Sequence, residues 1–302
     1  MKIFITGATG YIGFSVAKAM RRAGHNVFGL TRSEEKAVML AKEEIHPVIG
    51  DMQNSESYRE KAEQCSVLIH AAADYQNNTV ELDKKTVQTL IGAGASGNGP
   101  QPKTFIYTSG CWVHGNTGYE AVDERTPLNP IEAVTWRPEV ENMVLDAEDI
   151  DGIVVRPGCV YGERGGLMDM WFKAAEESNQ IDVVGDGTNF WSLIHADDLA
   201  DAYVRIAETA PAGEIFNISD RSRCTVKDMV QAIARATDFE GSINFVPVEE
   251  AAEEMGPMAE ALAVDQHIDS RKAVSLLDWQ PKHGGFVDEV ETCYIAWKAH
   301  NN

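Results

Sequence analysis

Three glycines spaced three apart, Gly7, Gly10 and Gly13, end an apolar run that begins at Lys2 and lead into an amphipathic stretch from Tyr11. Bare backbone at that spacing suits the holding of a diphosphate. Gly7 lets the chain turn sharply, Gly10 lets the backbone approach phosphate with no side chain between, and Gly13 lets the next helix lie close on a sheet. Exposed N–H groups and the positive end of the helix dipole then face the anion. A dinucleotide is the expected ligand, with Gly7, Thr9, Gly10, Tyr11, Ile12 and Gly13 among its contacts.

Such a loop works only if a sheet and its helices position it. Apolar runs at Lys2 to Thr6, Val27 to Leu30, Pro47 to Ile49, Val67 to His70, Thr104 to Tyr107 and Ile153 to Val155 alternate with helical stretches. That pattern predicts an α/β protein with a Rossmann-type, doubly wound parallel sheet covered on both faces. Ligands of such sheets lie beyond the carboxyl ends of the strands. The second strand ends in Leu30-Thr31-Arg32, with no carboxylate for a ribose 2′-hydroxyl, so Arg32 points to NADP, with NAD as the other option. Ala71, Ala72 and Ala73 after the fourth strand let backbone pass close to a cofactor, or equally let a helix pack tightly, and His70 is expected as a packed histidine. Arg137 keeps its charge and can hold ribose hydroxyls or polarise a carbonyl. Its structural alternative is a helix ion pair to Glu141, four residues on. Farther along, Glu214 to Ile218 should return to the sheet, Thr225 to Thr237 should be a helix capped by Thr225, and Asn244 to Val248 a short strand.

The string GATGYIG resembles the glycine motif of the extended short-chain dehydrogenase/reductase family, which includes nucleotide-sugar epimerases, dehydratases and ketone reductases. Later segments carry the resemblance over nearly the whole chain. Arg156-Pro-Gly-Cys-Val-Tyr-Gly162 resembles R-P-x-x-V-Y-G, Leu193-Ile-His-Ala-Asp-Asp-Leu-Ala200 a late signature, and Ser270-Arg-Lys-Ala with Leu277-Asp-Trp-Gln-Pro281 the closing segments. The resemblance implies Asp51 and Met52 at the adenine, Thr108, Arg137, Pro157 and Val160 toward the nicotinamide, and structural roles for His195 and the aspartates after it. It also implies a dinucleotide domain at 1–162 with 190–220, a smaller discontinuous substrate-binding cap at 163–189 with 221–302, and allows a homodimer.

The same alignment exposes departures. The family's Ser or Thr three residues before V-Y-G falls on Gly110, with Ser109 one residue early. Its Y-x-x-x-K falls on Ala133 and Arg137, and the arginine that clamps diphosphate in sugar-nucleotide members falls on Trp191. Ser109, Arg137 and Tyr161 are therefore the catalytic candidates, with His114 and Cys111 behind them. Tyr294 and Lys298 repeat the Y-x-x-x-K spacing, but in the last helical stretch, where they read as a surface coincidence. Trp112, Trp136, Trp171, Phe172 and Trp191 suggest an apolar, aromatic pocket.

A formal charge of −21 disfavours nucleic acid and anionic membranes. Five scattered cysteines without a C-x-x-C pair support neither disulfides nor a zinc site, and no metal is expected. No charged leader or long apolar span is evident, which points to a soluble cytoplasmic protein acting on a small molecule. The leading expectation is an NADP-dependent reductase or alcohol dehydrogenase for a small, fairly apolar carbonyl compound. The alternatives are a nucleotide-sugar epimerase or dehydratase with bound NAD, and a non-catalytic NADP sensor or scaffold.

Overall fold

The computed structural model describes residues 1–74, 78–96 and 102–301. Its strands are β1 (Lys2–Thr6), β2 (Asn26–Thr31), β3 (His46–Ile49), β4 (Val67–His70), β5 (Lys103–Thr108), β6 (Ala121–Val122), β7 (Ile150–Pro157), β8 (Cys159–Tyr161), β9 (Gln180–Val184), β10 (Leu193–His195), β11 (Ile215–Ile218), β12 (Ser242–Val246) and β13 (His267–Ile268). The helices are α1 (Tyr11–Arg22), α2 (Glu34–Lys42), α3 (Arg59–Glu63), α4 (Thr79–Ala95), α5 (Arg137–Leu145), α6 (Asp169–Glu177), α7 (Ala196–Thr209), α8 (Val226–Ala236), α9 (Val248–Met255), α10 (Met258–Ala263), α11 (Arg271–Leu277) and α12 (Phe286–Asn301).

Seven strands form one parallel sheet in the order β11-β7-β5-β4-β1-β2-β3. The direction of winding reverses between β1 and β4, which opens a crevice beyond their carboxyl ends. Alternate residues of each strand feed opposite faces. Ile3, Ile5, Ile69, Ile106 and Ile153 pack with Val16 and Met20 of α1 and Tyr203 and Ile206 of α7. Phe4, Leu68, Phe105, Tyr107 and Val154 pack on the other face with Leu90 of α4 and Val144 of α5. Both faces are thus dry, as the near-continuous apolar strand runs require.

A smaller C-terminal region has its own core, built from Trp171, Phe172, Val183, Trp191, Met229, Ile233, Phe286 and Trp297. It is tied to the sheet by one buried carboxylate: Asp198 in the first turn of α7 accepts the backbone N–H groups of Lys282 and His283, each at 3.0 Å. The indole of Trp279 donates to the Asp198 carbonyl at 3.0 Å. The neighbouring His195 caps α7, its Nδ1 accepting the Asp197 N–H at 3.1 Å. Thr225 caps α8 in a reciprocal capping box with Asp228. The expected strand at Asn244 to Val248 lies two residues earlier, because Pro247 lacks an N–H for the ladder and opens α9 instead.

Beneath the crevice, a buried hydrogen-bonded chain fixes three strand ends together. Thr6 Oγ1 lies 2.5 Å from His70 Nδ1, His70 Nε2 lies 3.0 Å from Asp83 Oδ1, and the Tyr107 hydroxyl donates to Asp83 Oδ2 at 2.9 Å. His70 is therefore a packed histidine, as anticipated. Replacing Asp83 with Asn removes an acceptor that both neighbours need, so the variant should lose about 2 kcal/mol of unfolding free energy in urea denaturation.

Candidate active site

The glycine loop has no room for side chains where the sequence omits them. A Cβ on Gly7 would lie 2.4 Å from the Ala71 carbonyl oxygen, and Gly7 has a left-handed φ of +74°. A Cβ on Gly13 would lie 2.2 Å from the Gly7 oxygen. Gly10 closes the turn by donating to the Gly7 oxygen at 2.8 Å. Beside this loop a cleft of about 590 Å³ is lined by Gly7, Thr9, Gly10, Tyr11, Ile12, Arg32, Asp51, Met52, Ala71, Ala72 and Ala73, with Leu30, Thr31, Lys36, Gly50 and Asp74. A cradle of bare backbone at a helix N-terminus, opening into a cleft of this size, fits a dinucleotide.

Lys36 escaped sequence reasoning; it enters the cleft from the first turn of α2, whose cap Ser33 accepts the Lys36 N–H at 3.3 Å. Arg32 is exposed and lies 3.7 Å from Asp74. The segment after β8 was also missed. Positive φ at Gly162, Glu163 and Gly166 folds it back on the loop. There Arg164 donates to the carbonyls of Thr9 and Gly10 at 3.1 and 2.8 Å, and the Tyr11 hydroxyl donates to the Gly162 carbonyl at 2.7 Å. Glu163 accepts from Lys18 at 2.5 Å and Ser15 at 2.6 Å, bonds that outweigh its burial and hold its carboxyl below the usual range.

Gly13, Thr108, Arg137, Pro157 and Val160 do not line this cleft. Thr108 directs its hydroxyl away to Tyr203 of α7, 2.6 Å distant, while its carbonyl accepts from Arg137 Nη1 at 3.0 Å. Pro138 helps start α5 directly after Arg137, which is buried beside the Trp136 ring. Ser109 is buried, its N–H bonded to the Val155 carbonyl at 2.8 Å and its hydroxyl without a hydrogen-bond partner among the described residues. At Gly110, an added Cβ would meet nothing within 4 Å, so the space for the family's hydroxyl remains open. Ala133 packs against the cluster of Val113, Ile131, Val134, Ala261 and Val264.

Tyr161 turns into the C-terminal core, edge-on to His195 and Phe286. Burial raises its phenol strongly, which disfavours it as a proton shuttle. The expected aromatic wall is only partly a wall. Trp171, Phe172 and Trp191 are core, Trp171 stacks on Trp191 at 5.2 Å, and the Trp191 indole donates to the Leu262 carbonyl at 3.0 Å. The cavity beside that stack is rimmed by Asp182, Glu250 and Glu254.

The ion pair from Arg137 to Glu141 does not form. Glu141 instead receives Arg156 of β7 through two bonds, Nε at 3.0 Å and Nη2 at 2.5 Å, both residues being buried. A fully desolvated guanidinium needs a bidentate carboxylate more than a neighbour one helical turn away does. On the adjacent strand, Asn217 Oδ1 lies 3.2 Å from His114 Nε2, and the Asn217 N–H donates to Glu124 at 2.8 Å. Arg156 Nη1, Asn217 Nδ2, His114 Nδ1 and Ser109 Oγ are buried with no hydrogen-bond partner among the described residues. Left dry, each costs about 1–3 kcal/mol.

Two other features are structural. His195, His283 and Glu289 bring metal-ligand types within 4.8 Å of one another. His195 Nδ1 already accepts a backbone N–H and His283 Nδ1 lies 3.0 Å from Asp198, which makes the group a helix-cap cluster. Tyr294 and Lys298 are 3.0 Å apart on α12 and share Glu176, a surface contact. All five cysteines are free thiols, and among the described residues no helix is long and apolar enough to cross a membrane.

Fold and cleft together define a dinucleotide-binding enzyme. The model of the NAD dependent epimerase/dehydratase family matches residues 3–219, and the chain belongs to that family. It is 27% identical to an uncharacterized protein of Schizosaccharomyces pombe, covering 96% of this chain and 98% of that one. It is 25% identical to the UDP-glucose 4-epimerase of Mycolicibacterium smegmatis, covering 93% and 94%. The UDP-glucuronic acid 4-epimerase of Bacillus cereus, solved with UDP-glucuronic acid and NAD, superposes with a TM-score of 0.81 at 20% identity over 99% of each chain. Membership of this family overturns the expectation of an NADP-dependent reductase for a small apolar carbonyl compound, in favour of an NAD-dependent enzyme of the epimerase/dehydratase type. Membership of an enzyme family also sets aside the sensor or scaffold reading.

Gly10→Ala should keep a near-native melting temperature, its Cβ meeting only the Gly7 oxygen at 3.1 Å, yet weaken dinucleotide binding at least about tenfold by calorimetry. Gly7→Ala should lower the melting temperature as well. A separate outcome concerns pH. Burial, then Arg156, lowers the His114 pKa, and burial, then His283, lowers that of His195. The unfolded chain therefore takes up these protons first, so their contribution is complete above about pH 6.5 and is lost as pH falls below it. Burial raises the carboxyls of Glu124 and Asp220, which act in the opposite sense at lower pH. Melting temperature should fall as pH drops below about 6.5, and His114→Gln should make that fall shallower.

Proposed function

We propose that the protein carries out reversible oxidation and reduction at a sugar carbon of a nucleotide-sugar substrate, as an NAD-dependent epimerase or dehydratase. The observation that carries this reading is the backbone-lined cleft at the β1–β4 crevice. Support for the substrate class comes from the UDP-sugar epimerases among its relatives.

The residues that would hold the dinucleotide are Gly7, Thr9, Gly10, Tyr11 and Ile12 at the diphosphate, Asp51 and Met52 at the base, and Ala71 to Ala73 along its length. When bound, it supplies a reversible hydride acceptor. The chain's own residues must orient the substrate and manage its proton. Ser109 offers a buried hydroxyl to the substrate oxygen, and Arg137 a fixed positive charge that favours a developing alkoxide. Neither is the tuned phenol of the family, so proton handling is shared with other groups. Cations for the substrate phosphates are available at Arg221 and Arg223, which line a cavity of about 380 Å³ with Phe190 and Trp191.

Incubation with UDP-glucose or dTDP-glucose should yield an epimerised or dehydrated sugar without net consumption of added dinucleotide. Failure of both sugars to turn over or to raise the melting temperature would remove the reading. Replacing Arg221 and Arg223 together by Ala should weaken UDP binding about tenfold. At the other end, Arg32 and Lys36 line the cleft and position 31 is a threonine rather than a carboxylate, which supports acceptance of a 2′-phosphate. The site should therefore bind NADP as well as NAD, and Arg32→Ala should weaken NADPH about tenfold while leaving NADH within about twofold.

A further inference from the structure

The orphaned polar atoms beneath the reaction segment form a row rather than a scatter. Asn217 of β11 and Arg156 of β7 are direct register partners. Ser109 follows Thr108, which pairs with Val155, so Ser109 stands opposite Arg156 on the next strand. His114 reaches the row through its contact with Asn217. All four side chains are more than nine-tenths buried, yet each has one polar atom with no hydrogen-bond partner among the described residues. Their chemistry is complementary to water. Arg156 Nη1 and Asn217 Nδ2 donate, the Ser109 hydroxyl does either, and His114 Nδ1 accepts when Nε2–H is given to Asn217. Buried polar atoms in this arrangement hold ordered water.

We propose that internal waters along Ser109, Arg156, Asn217 and His114 form a proton relay, with His114 Nδ1 as its proton-holding end, replacing the phenol that Ala133 lacks. The proposal rests on the epimerase/dehydratase reading. As a sugar alcohol is oxidised, its C–H electron pair would leave as the hydride that a bound dinucleotide accepts. Its O–H bond breaks, the proton passes by Ser109 and water, and an N–H bond forms on His114. The reverse reaction returns the proton along the same row. Ser109 touches the reacting oxygen, whereas His114 acts through water.

The surroundings of His114 suit a base that stays unprotonated until called on. It is faced by Arg156 from β7, Asn217 from β11, Glu141 from α5, and Asp123 from the segment after β6, while Glu124 meets the Asn217 backbone. Burial and Arg156 disfavour a resident proton, and the Asn217 hydrogen bond, Glu141 and Asp123 limit that bias.

The first test needs no substrate. In a crystal structure at atomic resolution, ordered waters should lie within hydrogen-bond distance of at least three of the four orphaned atoms, and a dry row overturns the relay. Nitrogen-15 NMR of the wild-type protein should show His114 neutral with its proton on Nε2, and a neutral ring protonated at Nδ1 overturns it as well. The second test uses UDP-glucose in single-turnover reduction of bound NAD. His114→Gln should lower the rate at least about a hundredfold at neutral pH and remove the acid limb of the pH–rate profile. A uniform loss with that limb unchanged overturns the relay. If wild type gives no turnover with UDP-sugars, the functional reading fails, while the water and tautomer results still decide the row.

Discussion

Backbone packed against backbone is the constraint on which the molecule depends. Between β1 and α1 the chain passes so close to the Ala71 carbonyl on one side and to its own Gly7 carbonyl on the other that no side-chain carbon fits at Gly7 or Gly13. That closeness lets α1 approach the sheet, and with it α7, whose Tyr203 and Ile206 complete the same core. It also leaves the loop's amides facing the crevice. A cofactor site and a packing requirement are here one arrangement of atoms, so the glycines serve both.

For this reason the first half of the chain was legible from sequence. Bare positions at fixed spacing, short apolar strands and intervening helices each leave a local signature, and the six strands expected there all form. Thr225 announced its helix by the same local logic. What escaped was non-local. The local i,i+4 rule paired Arg137 with Glu141, but Glu141 serves Arg156, fifteen residues away and more deeply buried. Asn217 and His114 meet across 103 positions, and Arg164 returns to the glycine loop across more than 150. No periodicity marks such contacts.

The substrate side shows the opposite imbalance, since resemblance marked the departures clearly and the structure explains how the fold tolerates them. Trp191 is buried against Trp171 and bonded to the chain near α10, so it fills volume and satisfies its own N–H. Ala133 joins a small apolar cluster. Arg137 clasps the carbonyl at the end of β5. Each replacement is locally satisfied, so losing the family's usual reagents leaves no gap in the core.

Gly110 differs from all of these. Its backbone is extended, the direction its side chain would take is open, and no neighbour has moved in. The scaffold around the reaction segment therefore holds its shape without help from whatever occupies that space. Frame and reagent are separable here: solvent, a substrate oxygen or a newly introduced hydroxyl can be exchanged at this point while strands, helices and cofactor crevice keep their positions.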